Sequence, residues 1–235
     1  MTQARPRLVV HGAGRMGRLV AAAASAEGFQ LQALVSRQHP GDLDGAQWRP
    51  GLDALGTAPD LLIDFTLPSG TVAAARWCAA QGVPLVSGTT GLEALQARAL
   101  ERAATQVPVL HAANFSPGVN AMLGVLESLG GLGIRSARLT DVHHIHKKDA
   151  PSGTALALAA ALAPVQVAIE SRREGEVIGD HSVALELDGE TLTLAHHAEE
   201  REIFARGALR AARWLLGRPA GRYRAQDWAL GGEAD

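Results

Sequence analysis

Between positions 143 and 154 the chain reads His143-His144-Ile145-His146-Lys147-Lys148-Asp149-Ala150-Pro151-Ser152-Gly153-Thr154, a concentration of groups that can move protons and bind anions. An imidazole titrates near neutrality and can donate a proton there. A lysine ammonium beside it stabilises developing negative charge. The segment from Asp149 onward reads as a helix start, with cap candidates near Pro151 and an Ala/Leu run from Ala155. The N–H groups of Ser152, Gly153 and Thr154 would form a seat for an anion. With Lys147 and a histidine beside it, that seat suits a small acidic substrate. Two other readings stand beside this one: histidines that merely end a polar strand, and a zinc site, because imidazole is a common zinc ligand. Against the metal, a strand sends His143 and His144 to opposite faces, the lysines oppose a divalent cation, and no cysteine is near. No metal is therefore expected.

A second group of residues points to a dinucleotide. Gly12-Ala13-Gly14-Arg15-Met16-Gly17 fits G-x-G-x-x-G, directly after an apolar run and before a helical one. In that setting the first glycine permits a tight turn, the second lets backbone approach a pyrophosphate, and the third lets helix and strand pack closely. Glycines at any tight strand-to-helix turn are the plainer alternative. An acidic residue about 20 positions on would hold the ribose hydroxyls of NAD. The chain has Val35-Ser36-Arg37 there instead. Arg37 can donate a bidentate pair to a ribose 2′-phosphate, so NADPH is expected to be preferred, with NADH possible.

Three later segments read as loops at strand ends: Ile63-Asp64-Phe65-Thr66-Leu67-Pro68-Ser69, Ser87-Gly88-Thr89-Thr90-Gly91 and Ala112-Ala113-Asn114-Phe115-Ser116-Pro117-Gly118. Gly88 and Gly91 allow close backbone approach, while Thr89 and Thr90 offer groups suited to a nicotinamide carboxamide or its ribose. Ordinary turn and capping chemistry could account for any one of these loops. Their coincidence at one edge of a parallel sheet favours a ligand, which in such a sheet lies at the carboxyl ends of the strands.

The elements that must position these residues emerge from the apolar pattern. Strands are expected at Leu8–His11, Leu31–Val35, Leu61–Phe65, Pro84–Ser87 and Val107–His111, and helices near Arg15–Ala26, Gly70–Gln81 and Leu92–Thr105. That alternation implies an α/β Rossmann-type doubly wound parallel sheet. Beyond Gly118 the texture changes: a helix at Val119–Leu129, a strand at Ser136–His144, a helix from about Ser152, then strands Ser182–Leu187 and Thr191–His196 joined through Asp188-Gly189. This second, smaller α+β domain is expected to carry an antiparallel or mixed sheet. A last amphipathic helix spans Ile203–Leu216. The expected division is 1–114 plus 201–235 for dinucleotide binding and 115–200 for substrate binding and oligomerisation.

With 22 Lys and Arg against 24 Asp and Glu the net charge is −2, which argues against a nucleic-acid or anionic-membrane partner. No run of about 20 apolar residues suggests a membrane span, and the first residues lack the apolar core of a signal peptide. The single cysteine, Cys78, lies in an apolar run and reads as a buried thiol. A cytoplasmic protein is expected.

The run from His143 to Ala155 resembles the signature H-H-x-x-K-x-D-A-P-S-G-T-A of the 4-hydroxy-tetrahydrodipicolinate reductases of diaminopimelate and lysine biosynthesis, and fits every fixed position. The glycine fingerprint, Asp64-Phe65-Thr66, Gly88-Thr89-Thr90-Gly91 and Ala113-Asn114-Phe115-Ser116 resemble the family in the same order. The resemblance implies a two-domain NAD(P)H-dependent oxidoreductase that reduces a cyclic imine dicarboxylate, usually as a tetramer built through its second domain. It implies His143 as proton donor and acceptor, Lys147 as a second donor, and His144, Gly153 and Thr154 as binders of the substrate carboxylates. It places the cofactor on Gly12, Ala13, Gly14, Arg15, Met16, Gly17, Arg37, Gly88, Thr89, Thr90, Ala112, Ala113, Asn114 and Phe115. His146 is given no role. The stretch before the closing hairpin is longer in the family and is compressed here into 170–181, which is expected to remove part of the second sheet. A sibling reductase of another imine or keto acid, or a sensor that binds NADPH without turnover, are the rival readings.

Overall fold

The computed structural model describes residues 4–41 and 46–231. The chain divides into two compact units, Met1–Phe115 with Phe204–Asp235, and Ser116–Ile203.

Among the described residues the first unit holds seven strands, β1 (Arg7–His11), β2 (Gln30–Val35), β3 (Gln47–Arg49), β4 (Leu61–Asp64), β5 (Leu85–Ser87), β6 (Pro108–His111) and β11 (Gly221–Tyr223). All pair in parallel in the order β11-β6-β5-β4-β1-β2-β3. The order reverses between β1 and β4, where a doubly wound sheet opens a crevice at its strand ends. Leu61, Leu62 and Ile63 are fully buried in succession, as expected of a strand covered on both faces. Period-two alternation then divides the core. Leu8, Val10, Ile63, Val86 and Leu110 pack on α6 (Glu202–Leu215) and α1 (Arg15–Ala23), while Val9, Leu62, Leu85 and Val109 pack on α2 (Pro68–Gln81) and α3 (Ala94–Ala104). In α6 the residues Ala205, Ala208, Leu209, Ala212 and Leu215 fall on one helical stripe, and all are buried.

The second unit has a four-stranded sheet of β7 (Ser136–His143), β8 (Val167–Arg173), β9 (Asp180–Glu186) and β10 (Thr191–His197), in the order β10-β9-β7-β8. Helices α4 (Pro117–Ser128) and α5 (Gly153–Ala161) cover one face, on which Ala137, Leu139, Val183 and Leu185 meet Val119, Leu126 and Leu158. The hairpin between β9 and β10 closes through Leu187 N–H to the Glu190 carbonyl at 2.9 Å, with Gly189 at φ +76°. A short helix α7 (Ala225–Leu230) ends the described chain in the first unit.

The second sheet is mixed, within the expected antiparallel or mixed arrangement, because β8, a strand outside the expected set, runs parallel to β7 and is reached through α5 as a crossover. Two findings depart from the expectations of the sequence. Residues 170–181, expected as a shortened connection, instead complete β8 as far as Arg173 and begin β9 at Asp180. Strands β3 and β11 lie outside the expected set, being three residues each and short of apolar character.

Candidate active site

On the helix-covered face of the second sheet, alternation carries each strand from aliphatic to ionisable residues. Along β7 the buried positions run Ala137, Leu139, Asp141, His143. Register sets His143 opposite Arg173 on β8, Asp141 opposite His181 on β9, and His181 opposite His196 on β10. A row of ionisable groups thus crosses the sheet where a continued core would place hydrocarbon. Such groups under a helix layer need partners to offset the cost of leaving water.

Asp141, 0% exposed, supplies most of them. Its Oδ1 lies 3.0 Å from His143 Nδ1 and 3.5 Å from His181 Nε2. Its Oδ2 accepts the Ser152 N–H at 3.0 Å and lies 3.5 Å from an Arg173 guanidinium nitrogen. The His143 approach is close but not aligned as a hydrogen bond, so Nδ1 and Oδ1 both lack a formal partner among the described residues; such contacts often tighten only when substrate binds. Burial works to raise the Asp141 carboxyl, but bonds from Ser152 and the facing imidazoles hold it below the usual carboxylate range. Burial pushes His143 down despite the opposing pull of Asp141, and pushes His181 to about 4. Asp141, His143 and His181 bring donor atoms within 4.8 Å of one another, a spacing a divalent cation could use. The Arg173 guanidinium already supplies positive charge at that carboxylate, and Lys147 adds more nearby. The trio is therefore better explained as an imidazole–carboxylate cluster. The expected opposite facing of His143 and His144 does not bear on this trio, which comes from strands β7 and β9 by register.

Lys147 lies on the loop leaving β7, its ammonium held at 2.8 Å by both oxygens of Asp149. Arg173 donates to the Lys147 carbonyl at 3.3 Å and to the Asp149 carbonyl, which fixes the loop to the edge of β8. His144 follows the end of β7, with its ring 6.1 Å from that of His146. Burial, then Arg201 and His146, depress its titration. Ser152 caps α5 by accepting the Ala155 N–H at 3.0 Å. Because the Ser152 N–H is committed to Asp141, the expected anion seat narrows to Gly153 and Thr154. A side chain added at Gly153 would meet nothing within 4 Å, so approach to that helix end is open.

In the first unit, α1 starts at Arg15 behind Gly14, with no side-chain cap for its N–H groups. Gly12 has φ +105°, and a β-carbon there would lie 2.6 Å from the Phe65 carbonyl oxygen. One at Gly17 would drive into the Gly12 carbonyl, whereas one at Gly14 would face open space. That is a backbone cradle with an anion-attracting helix end, and a dinucleotide pyrophosphate fits it. Ala13 and Met16 are half-buried beside it and Arg15 is exposed. Gly88 abuts the Phe65 ring, which meets Phe115 edge-on at 5.8 Å. The group that ties these loops together is Asp64, to which the sequence pattern assigns no role of its own. Fully buried, it accepts from Thr66, Thr71, Ser87 and Thr89 at 2.6, 2.7, 3.0 and 3.1 Å, and lies 3.1 Å from His11 Nδ1. Burial opposes its charge, but His11, Thr66 and Thr71 hold it below the ordinary carboxylate range. Thr89 is buried in this network, while Thr90 is exposed and Asn114 half-buried on the same strand-end side as Ala112 and Ala113. Beyond β2, Trp48 Nε1 donates to the Ser36 carbonyl at 3.0 Å and Arg37 extends exposed.

Both units are matched among known proteins. The family model "Dihydrodipicolinate reductase, N-terminus" matches residues 6–115, and "Dihydrodipicolinate reductase, C-terminus" matches 118–228. The 4-hydroxy-tetrahydrodipicolinate reductase of Xanthomonas euvesicatoria pv. vesicatoria (strain 85-10) is 42% identical over 239 residues, covering 98% of this chain and all of the relative. That of Xylella fastidiosa (strain 9a5c) is 42% identical over 229 residues, covering 94% and 97%. Among solved structures, a dipicolinate-bound dihydrodipicolinate reductase from Paenisporosarcina sp. TG-14 superposes with TM-score 0.82 at 22% identity, over 94% of this chain and 97% of that one. An amine dehydrogenase from Mycobacterium smegmatis reaches 0.72 at 12% identity, over 94% and 95%, a likeness of fold.

Proposed function

The chain belongs to the dihydrodipicolinate reductase family, and from that membership we propose how its residues carry out the family's reaction. It is an NAD(P)H-dependent 4-hydroxy-tetrahydrodipicolinate reductase, an oxidoreductase of lysine and diaminopimelate biosynthesis. The observation that carries the assignment of roles is the convergence of His143 and the open start of α5 on Asp141, with Lys147 near His143.

When bound, the reduced nicotinamide supplies the hydride, received at carbon 4 of the ring after water has left it. The glycine cradle at Gly12, Ala13, Gly14, Arg15, Met16 and Gly17 holds the pyrophosphate on the α1 amides. Gly88, Thr89, Thr90 and the segment Ala112–Phe115 hold the nicotinamide end. Gly153, Thr154 and His144 bind the substrate carboxylates, and Lys147 exchanges its partner Asp149 for a substrate carboxylate or the developing charge. As negative charge spreads over the conjugated imine, Lys147 stabilises it and His143 delivers the proton from Nε2. Positions 36–39, Ser-Arg-Gln-His, contain no acid, and this supports a preference for the 2′-phosphate of NADPH at Arg37.

The uncovered face of the second sheet carries Arg138, Thr140, Ala168, Glu170, Ser182 and Ala184, small or polar residues that could accept another copy of the sheet. This supports a homo-oligomer, a tetramer by resemblance. No helix among the described residues is long and apolar enough to cross a membrane, which accords with a cytoplasmic enzyme. Incubation with NADPH and enzymatically generated substrate, followed by nicotinamide absorbance, tests the reading. Substrate-dependent oxidation is expected; NADPH binding without turnover would instead favour a sensor.

A further inference from the structure

We propose that Asp141 is the positioning residue of this site, one buried carboxylate that orients His143 through Oδ1 and anchors the first turn of α5 through Oδ2. The inference rests on the reading of His143 as proton donor and deepens it. Proton delivery and carboxylate capture, separate along the sequence, become one unit held by one side chain.

A fully buried carboxylate on a helix-covered face is costly unless its lone pairs are engaged. Here each oxygen has a distinct task. Oδ2 takes the Ser152 N–H and the approach of Arg173. Oδ1 is left to the two imidazoles, with His143 Nδ1 the closer at 3.0 Å. Among the described residues Nδ1 has no other partner, so a proton on it has Oδ1 as its destination. The other ring nitrogen, Nε2, lies beside Gly179, where even a β-carbon would come within 3.1 Å. The ring is thereby held with Nδ1 inward on Asp141 and Nε2 as the nitrogen that meets substrate. A carboxylate behind an imidazole fixes the tautomer and stabilises the cation that donates. The charged or titratable groups facing His143 are Asp141 on its own strand, Lys147 and Asp149 on the following loop, Arg173 on β8 and His181 on β9. Asp141 is the anion in closest contact. Arg173 balances it at Oδ2, 3.5 Å away, and ties down the Lys147 loop through backbone carbonyls.

The experiment combines ¹⁵N-detected imidazole NMR with pH-dependent kinetics. In the wild-type protein, above its titration, His143 is expected as the Nδ1–H tautomer. In Asp141→Asn, the amide oxygen can keep the Ser152 bond while its NH₂ faces His143, so the tautomer should switch to Nε2–H. Turnover should fall about 10²-fold with KM little changed, and the alkaline limb of kcat/KM should move to lower pH. Asp141→Ala removes both tasks and should raise KM as well, and Asp141→Glu should restore part of the wild-type pH profile. A wild-type Nε2–H tautomer would overturn the proposal without any variant having to fold. So would an Asp141→Asn protein whose tautomer and pH profile are unchanged and whose activity loss follows thermal stability alone. Wild-type turnover by His143→Gln would overturn the donor reading on which the proposal stands, and is distinguishable from either result.

Discussion

The His181 ring is 3% exposed and its titration is pushed from 6.5 to about 4 by burial first, then by the facing His143. A histidine held neutral in the folded state favours unfolding wherever only the unfolded chain is protonated. Its contribution is fully present above pH 6.5 and is lost as pH falls toward about 4, on the order of 3 kcal/mol. The melting temperature should therefore fall between about pH 7.5 and about pH 5, and fall less in His181→Gln. An equal fall in both proteins would contradict this. Lys147 carries a different expectation. Lys147→Met should lower turnover by roughly 10²–10⁴-fold, and Lys147→Arg should keep part of it if charge rather than donation is its main contribution. Unimpaired turnover by Lys147→Met would remove it from the mechanism. His143, Lys147 and Gly153 could be proposed together from the sequence because they lie in one short segment. Asp141, Arg173 and His181 could not, because cross-strand register brings them together, and the pattern of apolar residues alone does not give register. A signal was nonetheless present: Asp141 interrupts the alternation Ala137, Leu139 on the buried face of β7.

The glycines of the turn between β1 and α1 are not equivalent. Gly17→Ala would force a β-carbon against the Gly12 carbonyl oxygen, so it should lower the melting temperature. Gly14, at φ −71° and facing open space, can become alanine without strain in the fold. Gly14→Ala should keep wild-type stability while weakening NADPH binding, as read by calorimetry. Equal NADPH affinity in Gly14→Ala would show that no phosphate sits there. At the end of β2, Arg37→Ala should lower kcat/KM for NADPH by about 10–100-fold and leave NADH nearly unchanged, the scale of a lost charge-assisted pair. Equal losses with both cofactors would refute the 2′-phosphate contact. The long elements of the first unit were legible because buried parallel strands read as continuous apolar runs such as Leu61-Leu62-Ile63. Strand β8 escaped because Glu170, Arg172 and Arg173 break its apolar character. Its alternation is still present, with Val167, Ile169, Ser171 and Arg173 on the covered face and Ala168, Glu170 and Arg172 on the open one.

Across the whole molecule, the strand order 3-2-1-4-5-6, extended by β11, is that of a dinucleotide-binding sheet, and the second unit supplies the proton-bearing row. Chain order announced both, since one fingerprint precedes the other and each lies within one unit. The 170–181 segment bears on the second sheet as well. It completes two strands of the second sheet instead of depleting it. The joint requirement for hydride and proton is tested most directly by substrate-dependent NADPH oxidation in the wild-type chain and in His143→Gln, with NADPH affinity measured in both. The wild-type protein should turn over, and the variant should bind NADPH equally well while turning over roughly 10²–10⁴-fold more slowly. Equal turnover by the two proteins would contradict the assignment of His143 as the group that delivers the proton.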